Sequence, residues 1–323
     1  MALAALTVAC SDDDAALRSD DVVDNTSTTT STRQPALTTS TTSTTTTSTT
    51  ALPGGPVAPN GRRRPPPPAD PASLAREIEV TERALRDPST PASARPVLGH
   101  RNQIAYRTLG IHPEWDADVL AALPADLADV ARAHAEARRT LAAMHPNPSD
   151  KVPAWQIIEP EPVDALLSYY REAEARTGIE WEYLAAINLV ETGFGRIRGL
   201  SDAGARGPMQ FLPSTWNEPG IGEGDIDDPH DAIQAAARYL VRRGGPADMQ
   251  RALRGYNNSP NYVRAVSIYA DLLRRDERAL HVLHAWEIHY LSAAGDLWLP
   301  VGYLEPEPVP VADYLTRAPW SRP

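Results

Sequence analysis

The chain has 323 residues, 42% of them hydrophobic, and its 31 basic and 42 acidic side chains leave a formal net charge of −11. That balance excludes a protein built to neutralise nucleic-acid phosphates, which requires a basic face. No run of about 20 apolar residues is present to span a membrane as a helix. The lone cysteine, Cys10, rules out an intramolecular disulfide and any cysteine-built zinc site.

Residues 1–24 read as a truncated lipoprotein-type N-terminus. A short apolar run, Met1 to Ala9, precedes Cys10, which is followed by Ser11 and three Asp. A small residue before a cysteine at the end of an apolar segment is the pattern of a lipid-anchor site. The alternative is an incidental cysteine in an unstructured N-terminus. Residues 25–72 read as a disordered stalk: 20 of the 25 residues from 26 to 50 are Ser or Thr, and 8 prolines fall between 53 and 71. Polar sequence without aromatics cannot bury enough apolar area to offset its backbone entropy. Thr/Ser-Pro composition of this kind suits a tether that holds an exported domain away from a surface.

From Ser73 the pattern is helical and the fold class is mainly α. In the helical segment 73–152, Leu74, Ile78, Thr81 and Leu85 recur at spacings of three and four. A second helix over 97–109 is expected to close at Gly110. Stretches from Trp115 to Leu123 and from Leu127 to Met144 continue in the same manner. Nothing in this segment suggests chemistry, and it reads as a small bundle or as helices packed on the next domain.

Residues 153–275 are where the candidate chemistry lies. Val163, Leu166, Leu167 and Tyr170 mark one amphipathic helix, stopped at Gly178. The helix from Trp181 to Glu191 is apolar on every side, as a buried central helix is. Glu191 falls on the stripe of Leu184 and Ile187, at the helix C-terminus. Both surroundings oppose ionisation and raise a glutamate pKa, which suits a general acid. A glutamate simply turned outward at a fraying end is the competing reading. A Gly-rich turn, Gly204 to Phe211, leads into a short helix ending near Trp216. Asp228 is then expected to cap a helix whose first residue is Pro229.

Taken together, Glu191-Thr192-Gly193-Phe194-Gly195, then Gly204 to Trp216, then Ala235 to Leu240, then Tyr256-Asn257 resemble the lytic transglycosylase domain of bacterial cell-wall enzymes, nearest the membrane-bound B type and its actinobacterial relatives. The resemblance implies a lysozyme-like helical domain that cleaves the β-1,4 bond between N-acetylmuramic acid (MurNAc) and N-acetylglucosamine (GlcNAc) in peptidoglycan. By motif, it assigns catalysis to Glu191 as the single acid/base, with Tyr256 beside it. It assigns substrate binding to Thr192, Gly207, Met209, Gln210, Phe211 and Asn257. The family has Ser after the glutamate where this chain has Thr192, which keeps the hydroxyl. The product implied is 1,6-anhydroMurNAc, with no cofactor and no metal. A hydrolytic muramidase on the same fold, placing a water with Asp202 or Asp225, and a non-catalytic peptidoglycan-binding module are the alternatives. The expected setting is the cell envelope, with the exported chain lipid-anchored through Cys10 on the outer face of the cytoplasmic membrane. Its partners are then glycan strands and the membrane, with no nucleic acid, and the chain is a monomer.

Other clusters carry simpler readings. The acids Glu223, Asp225, Asp227 and Asp228 lack the spacing of a twelve-residue calcium loop and suit turns and caps. His281, His284, Glu287 and His289 do not form the His-Glu-x-x-His pattern of a zinc helix. Arg196, Arg198 and Arg206 make a basic group near Glu191 that suits either an anionic ligand or a solvated loop. The C-terminal extension, 276–323, has no legible chemistry.

Overall fold

The computed structural model describes residues 56–323. Helix α1 (Pro71–Arg86) starts where the sequence places every start signal at once. Asp70 accepts a hydrogen bond from the Ser73 backbone N–H at 2.8 Å, Ser73 returns one to the Asp70 N–H, and Pro71 takes the first helical position. Its Leu74, Ile78, Thr81 and Leu85 are all buried. Helix α2 (Arg95–Ile111) runs through Gly110 instead of closing there. A Cβ at Gly110 would lie 2.6 Å from Cδ of Arg138, so this glycine admits a crossing side chain and is not a stop signal. Helices α3 (Asp116–Ala122) and α4 (Ala125–Ala142) complete the N-terminal group.

Two short strands, β1 (Lys151–Val152) and β2 (Gln156–Ile157), lead into α5 (Val163–Thr177), which ends on left-handed Gly178. The central helix α6 (Trp181–Thr192) has ten buried residues and is followed by β3 (Ile197–Arg198), which pairs antiparallel with β2. After α7 (Pro213–Trp216) come α8 (Pro229–Arg242), α9 (Met249–Tyr256) and α10 (Pro260–Arg275). As the sequence predicts, Asp228 caps α8 through the Asp231 N–H, with Pro229 at its first position. Helix α10 lies along both α4 and α6, and α5 lies along α8. One apolar cluster runs from Leu74 in α1 to Trp286, so the first four helices share their core with the part that holds Glu191.

The C-terminal extension builds a second, smaller cluster. Helix α11 (Ala279–His284) precedes a hairpin of β4 (Ile288–Ser292) and β5 (Gly295–Leu299). Strand β6 (Val309–Pro310) pairs with β1, and α12 (Val311–Arg317) comes after it. Trp155, Ile157 and Ile197 pack with Ile288, Leu299, Tyr303 and Tyr314 to fill this cap.

The end of the expected stalk is a correction. Residues 56–70 lie against the protein: Ala58 is buried, and Arg62 pairs with Glu287, a carboxylate only 2% exposed. Arg64 donates to the Arg322 carbonyl at 2.8 Å and lies 3.8 Å from Asp296. The reason is electrostatic. A buried carboxylate is costly without a cation, and the arginines of a polar, proline-rich strap supply one. The rest of the expected stalk, the N-terminal segment and Cys10 lie outside the described residues. Among the described residues, no helix is long and apolar enough to cross a membrane.

Candidate functional site

The site is built at the C-terminus of α6. The helix ends in three consecutive left-handed residues, Gly193, Phe194 and Gly195, with φ of 61°, 66° and 81°. Phe194 is the exception to the glycine preference there. Its N–H reaches back to the Asn188 carbonyl at 3.0 Å, and that of Gly193 to Leu189 at 3.0 Å, so the last carbonyls of the helix are satisfied. The abrupt stop leaves Glu191 in the final turn with its side chain 1% exposed.

A second segment, the turn 204–211, is fastened to that helix end through one atom. The carbonyl of Pro208 accepts from Asn188 Nδ2 at 2.9 Å and from Thr192 Oγ1 at 2.6 Å. Asn188 is held in turn by the Tyr170 hydroxyl at 2.7 Å, and Thr192 Oγ1 accepts from the Gly195 N–H at 2.9 Å. Thr192 is fully buried with its hydroxyl used twice inside the protein. Its hydroxyl ties the turn to the helix end. These bonds need only the hydroxyl of Thr192.

Gly207 (φ 77°) is also explained by packing: a Cβ there would lie 2.0 Å from the Ile226 carbonyl oxygen. Met209 is fully buried and offers its carbonyl to the Tyr256 hydroxyl at 2.7 Å. Phe211 packs among Trp216, Tyr239 and Tyr256 at centroid distances of 5.6, 6.0 and 6.0 Å. The Gln210 side chain, at φ 50°, donates to the Gly207 carbonyl at 3.0 Å. Asn257 Oδ1 accepts from the Ser259 N–H at 3.2 Å, at the start of α10. The expected binding residues thus come together around the end of α6. In this structure Thr192, Gly207, Met209 and Phe211 serve the wall from inside.

The tyrosine bonded to Glu191 is one that the sequence places in an apolar stripe. Tyr262, in the first turn of α10, donates its hydroxyl to Glu191 Oε1 at 2.7 Å. Tyr256 stacks behind it, with ring centroids 6.4 Å apart and planes 5° from parallel. The other carboxylate oxygen, Oε2, is buried and has no hydrogen-bond partner. Burial pushes the Glu191 carboxyl up to about 8, and the Tyr262 hydroxyl bond pulls the other way. A carboxyl protonated at neutral pH, anchored on one oxygen and unpaired on the other, can donate a proton from Oε2 once a substrate oxygen reaches it.

The flanking polar groups are occupied elsewhere. Arg196 donates to the His284 carbonyl at 2.9 Å, and Arg198 and Arg206 both bind Asp227. Asp225 Oδ1 accepts from the Asp227 N–H at 2.9 Å, and Asp225 donates its own N–H to Asp231 at 2.9 Å. Asp228, His230 and Asp231 bring possible ligand atoms within 4.8 Å of one another, but His230 is held by Glu172 at 3.0 Å and Asp228 caps its helix. The histidines near the C-terminus diverge: His284 binds the Glu161 carbonyl, and His289 binds Asp296 and His100.

Residues 168–273 match the family described as the transglycosylase SLT domain. Among curated proteins, the chain is 26% identical to membrane-bound lytic murein transglycosylase F 1 of Alkalilimnicola ehrlichii, over 38% of this chain and 30% of that protein. It is 32% identical to membrane-bound lytic murein transglycosylase F of Thiobacillus denitrificans, over 25% of this chain and 17% of the relative. The chain thus spans less than a third of the length of either relative. No solved structure matches it.

Proposed function

Residues 168–273 are a transglycosylase SLT domain of lysozyme-like, mainly helical fold, and from that premise we propose that the protein is a lytic transglycosylase of peptidoglycan that uses Glu191 as its single acid/base. The observation that carries the reading is the buried Glu191, bonded on Oε1 by Tyr262, unpaired on Oε2 and pushed up to about 8.

The reaction proposed starts from that carboxyl. Glu191 gives its Oε2 proton to the oxygen joining C1 of MurNAc to C4 of GlcNAc, and the C1–O bond breaks. The N-acetyl carbonyl of MurNAc supports the cationic C1. The Glu191 carboxylate then takes the proton of the C6 hydroxyl as O6 attacks C1, which restores the acid and forms the 1,6-anhydro ring. No water is consumed. With Oε2 buried, the groups over it must part as the glycan enters. Tyr262 holds Oε1 through the cycle and stabilises the carboxylate after the first proton transfer. The envelope location and a lipid on Cys10 belong to the same reading; mass spectrometry of the membrane fraction tests the lipid.

The full chain incubated with purified peptidoglycan is expected to release muropeptides lighter by one water than hydrolytic products, and its Glu191→Gln variant to release none. Reducing-end products would overturn this in favour of a muramidase. Binding without cleavage by both proteins would leave a peptidoglycan-binding module.

A further inference from the structure

The segment that joins Glu191 to the turn 204–211 does more than connect them. Gly199 to Asp202 form one wall of a cavity of about 590 Å³, within the size range of small-ligand sites. Its other walls come from residues 145–155 and from β4 and the loop before β6, all outside the stretch that matches the SLT family. Most of the cavity therefore lies outside the matched domain.

The wall is rigidly placed. Trp155 Nε1 donates to the Leu200 carbonyl at 3.1 Å, and a Cβ at Gly199 would lie 2.5 Å from Trp155 Cδ1. Only glycine allows the loop to lie this close to the indole. Leu200 is left 59% exposed on the cavity side of that contact, and Tyr290 of β4 meets Trp155 edge to face at 5.7 Å. An exposed leucine beside a half-buried tyrosine ring gives an apolar floor. The rim carries one anion, Asp202, and one cation, Lys151, both exposed. One buried polar atom lining the cavity lacks a partner: Nε2 of His145. Burial holds His145 below its ordinary pKa, so its ring is neutral and fitted to a hydroxyl or amide.

We infer that this cavity is a second saccharide site, which holds a short β-1,4-linked N-acetylhexosamine segment through Tyr290 and Leu200 against its apolar face and through Asp202, Lys151 and His145 against its hydroxyl and acetamido groups. A charge-balanced rim over an apolar floor suits a neutral polyhydroxylated ring. It does not suit a strongly charged ligand. The eight residues from Glu191 to Gly199 span at most about 28 Å, so the cavity lies within a few sugar repeats of Glu191. The choice of glycan as ligand rests on the function proposed above; the cavity itself does not.

The test is isothermal titration of the full-length Glu191→Gln protein with chitotetraose, repeated after adding Asp202→Asn, Lys151→Gln or Tyr290→Ala. The pocket variants are expected to lose one bound equivalent or to weaken it by at least about five-fold, the loss of roughly one hydrogen bond. Tyr290→Ala sits within a strand and risks misfolding; Asp202→Asn and Lys151→Gln change only exposed groups and keep the test decisive. Unchanged stoichiometry and affinity in the two rim variants would overturn the inference. So would a cavity that takes a proline decamer in place of the saccharide. If the wild-type chain fails to cleave peptidoglycan while the rim variants lose chitotetraose, the catalytic reading falls and this one stands. The reverse result separates them the other way.

Discussion

Glu82 in α1 and Glu191 in α6 are buried to the same degree, at 0% and 1% exposure, yet they keep opposite company. Glu82 is paired with Arg86 and accepts hydrogen bonds from the Tyr106 hydroxyl at 2.6 Å and Asn102 Nδ2 at 3.2 Å. Glu191 has one tyrosine hydroxyl and no cation. Burial alone therefore does not mark a carboxyl for chemistry. What distinguishes the two regions is whether the surroundings supply the charge and donors that a carboxylate needs. The helical group around α1 gives its acid a cation and two donors and uses it as a structural link. The end of α6 withholds that support and so keeps a proton available.

The comparison can be broken most directly at Glu82. Replacing it with Ala leaves Arg86 with Asp276 as its remaining anion and takes the acceptor from Tyr106 and Asn102, and the loss expected is about 3 kcal/mol, measured by urea unfolding. A loss below about 1 kcal/mol, the range of an exposed ion pair, would mean that the pair carries no structural weight. At Glu191 the sign is reversed. Its carboxyl is raised from 4.5 to about 8 in the folded protein, so the native state holds a proton that the unfolded chain releases between those pH values. Stability therefore falls as pH rises through that window. Glu191→Gln removes the fall, and at pH 7 the variant should be more stable than the wild type by roughly 3 kcal/mol. At pH 4 the two should melt alike. A variant less stable at pH 7 would contradict an unsupported carboxyl.

Activity sharpens the same contrast. Cleavage that depends on protonated Glu191 should decline on the alkaline side with a midpoint near the value of about 8. The Tyr262 hydroxyl favours the ionised form, so Tyr262→Phe should move that midpoint upward. The rate at pH 7 should change by less than about tenfold, the worth of one hydrogen bond. A midpoint that moves down would show that Tyr262 acts on the protonated acid instead.

What was legible in the sequence was local. The apolar α6, the glutamate on its stripe, the glycines that end it and the Asp228–Pro229 start of α8 are all fixed by residues within a turn or two of one another. Features that depend on distant partners were not legible. Tyr262 lies 71 positions from Glu191, and in sequence it is one more apolar residue in an amphipathic helix. Gly110 has the look of a helix end, and only the crossing of Arg138 reveals its use. The strap at 56–70 has the composition of an unfolded tether, because the buried carboxylate it satisfies, Glu287, lies 225 positions away.

That strap bears on how the molecule takes a mechanical load. Arg62 grips Glu287 and Arg64 grips the Arg322 carbonyl, so the two ends of the described chain are clasped on the same face. Tension applied upstream of Pro56 meets these contacts before it reaches α1. A chain trimmed to begin at Ser73, as composition alone invites, would lose the clasp and leave Glu287 without its arginine.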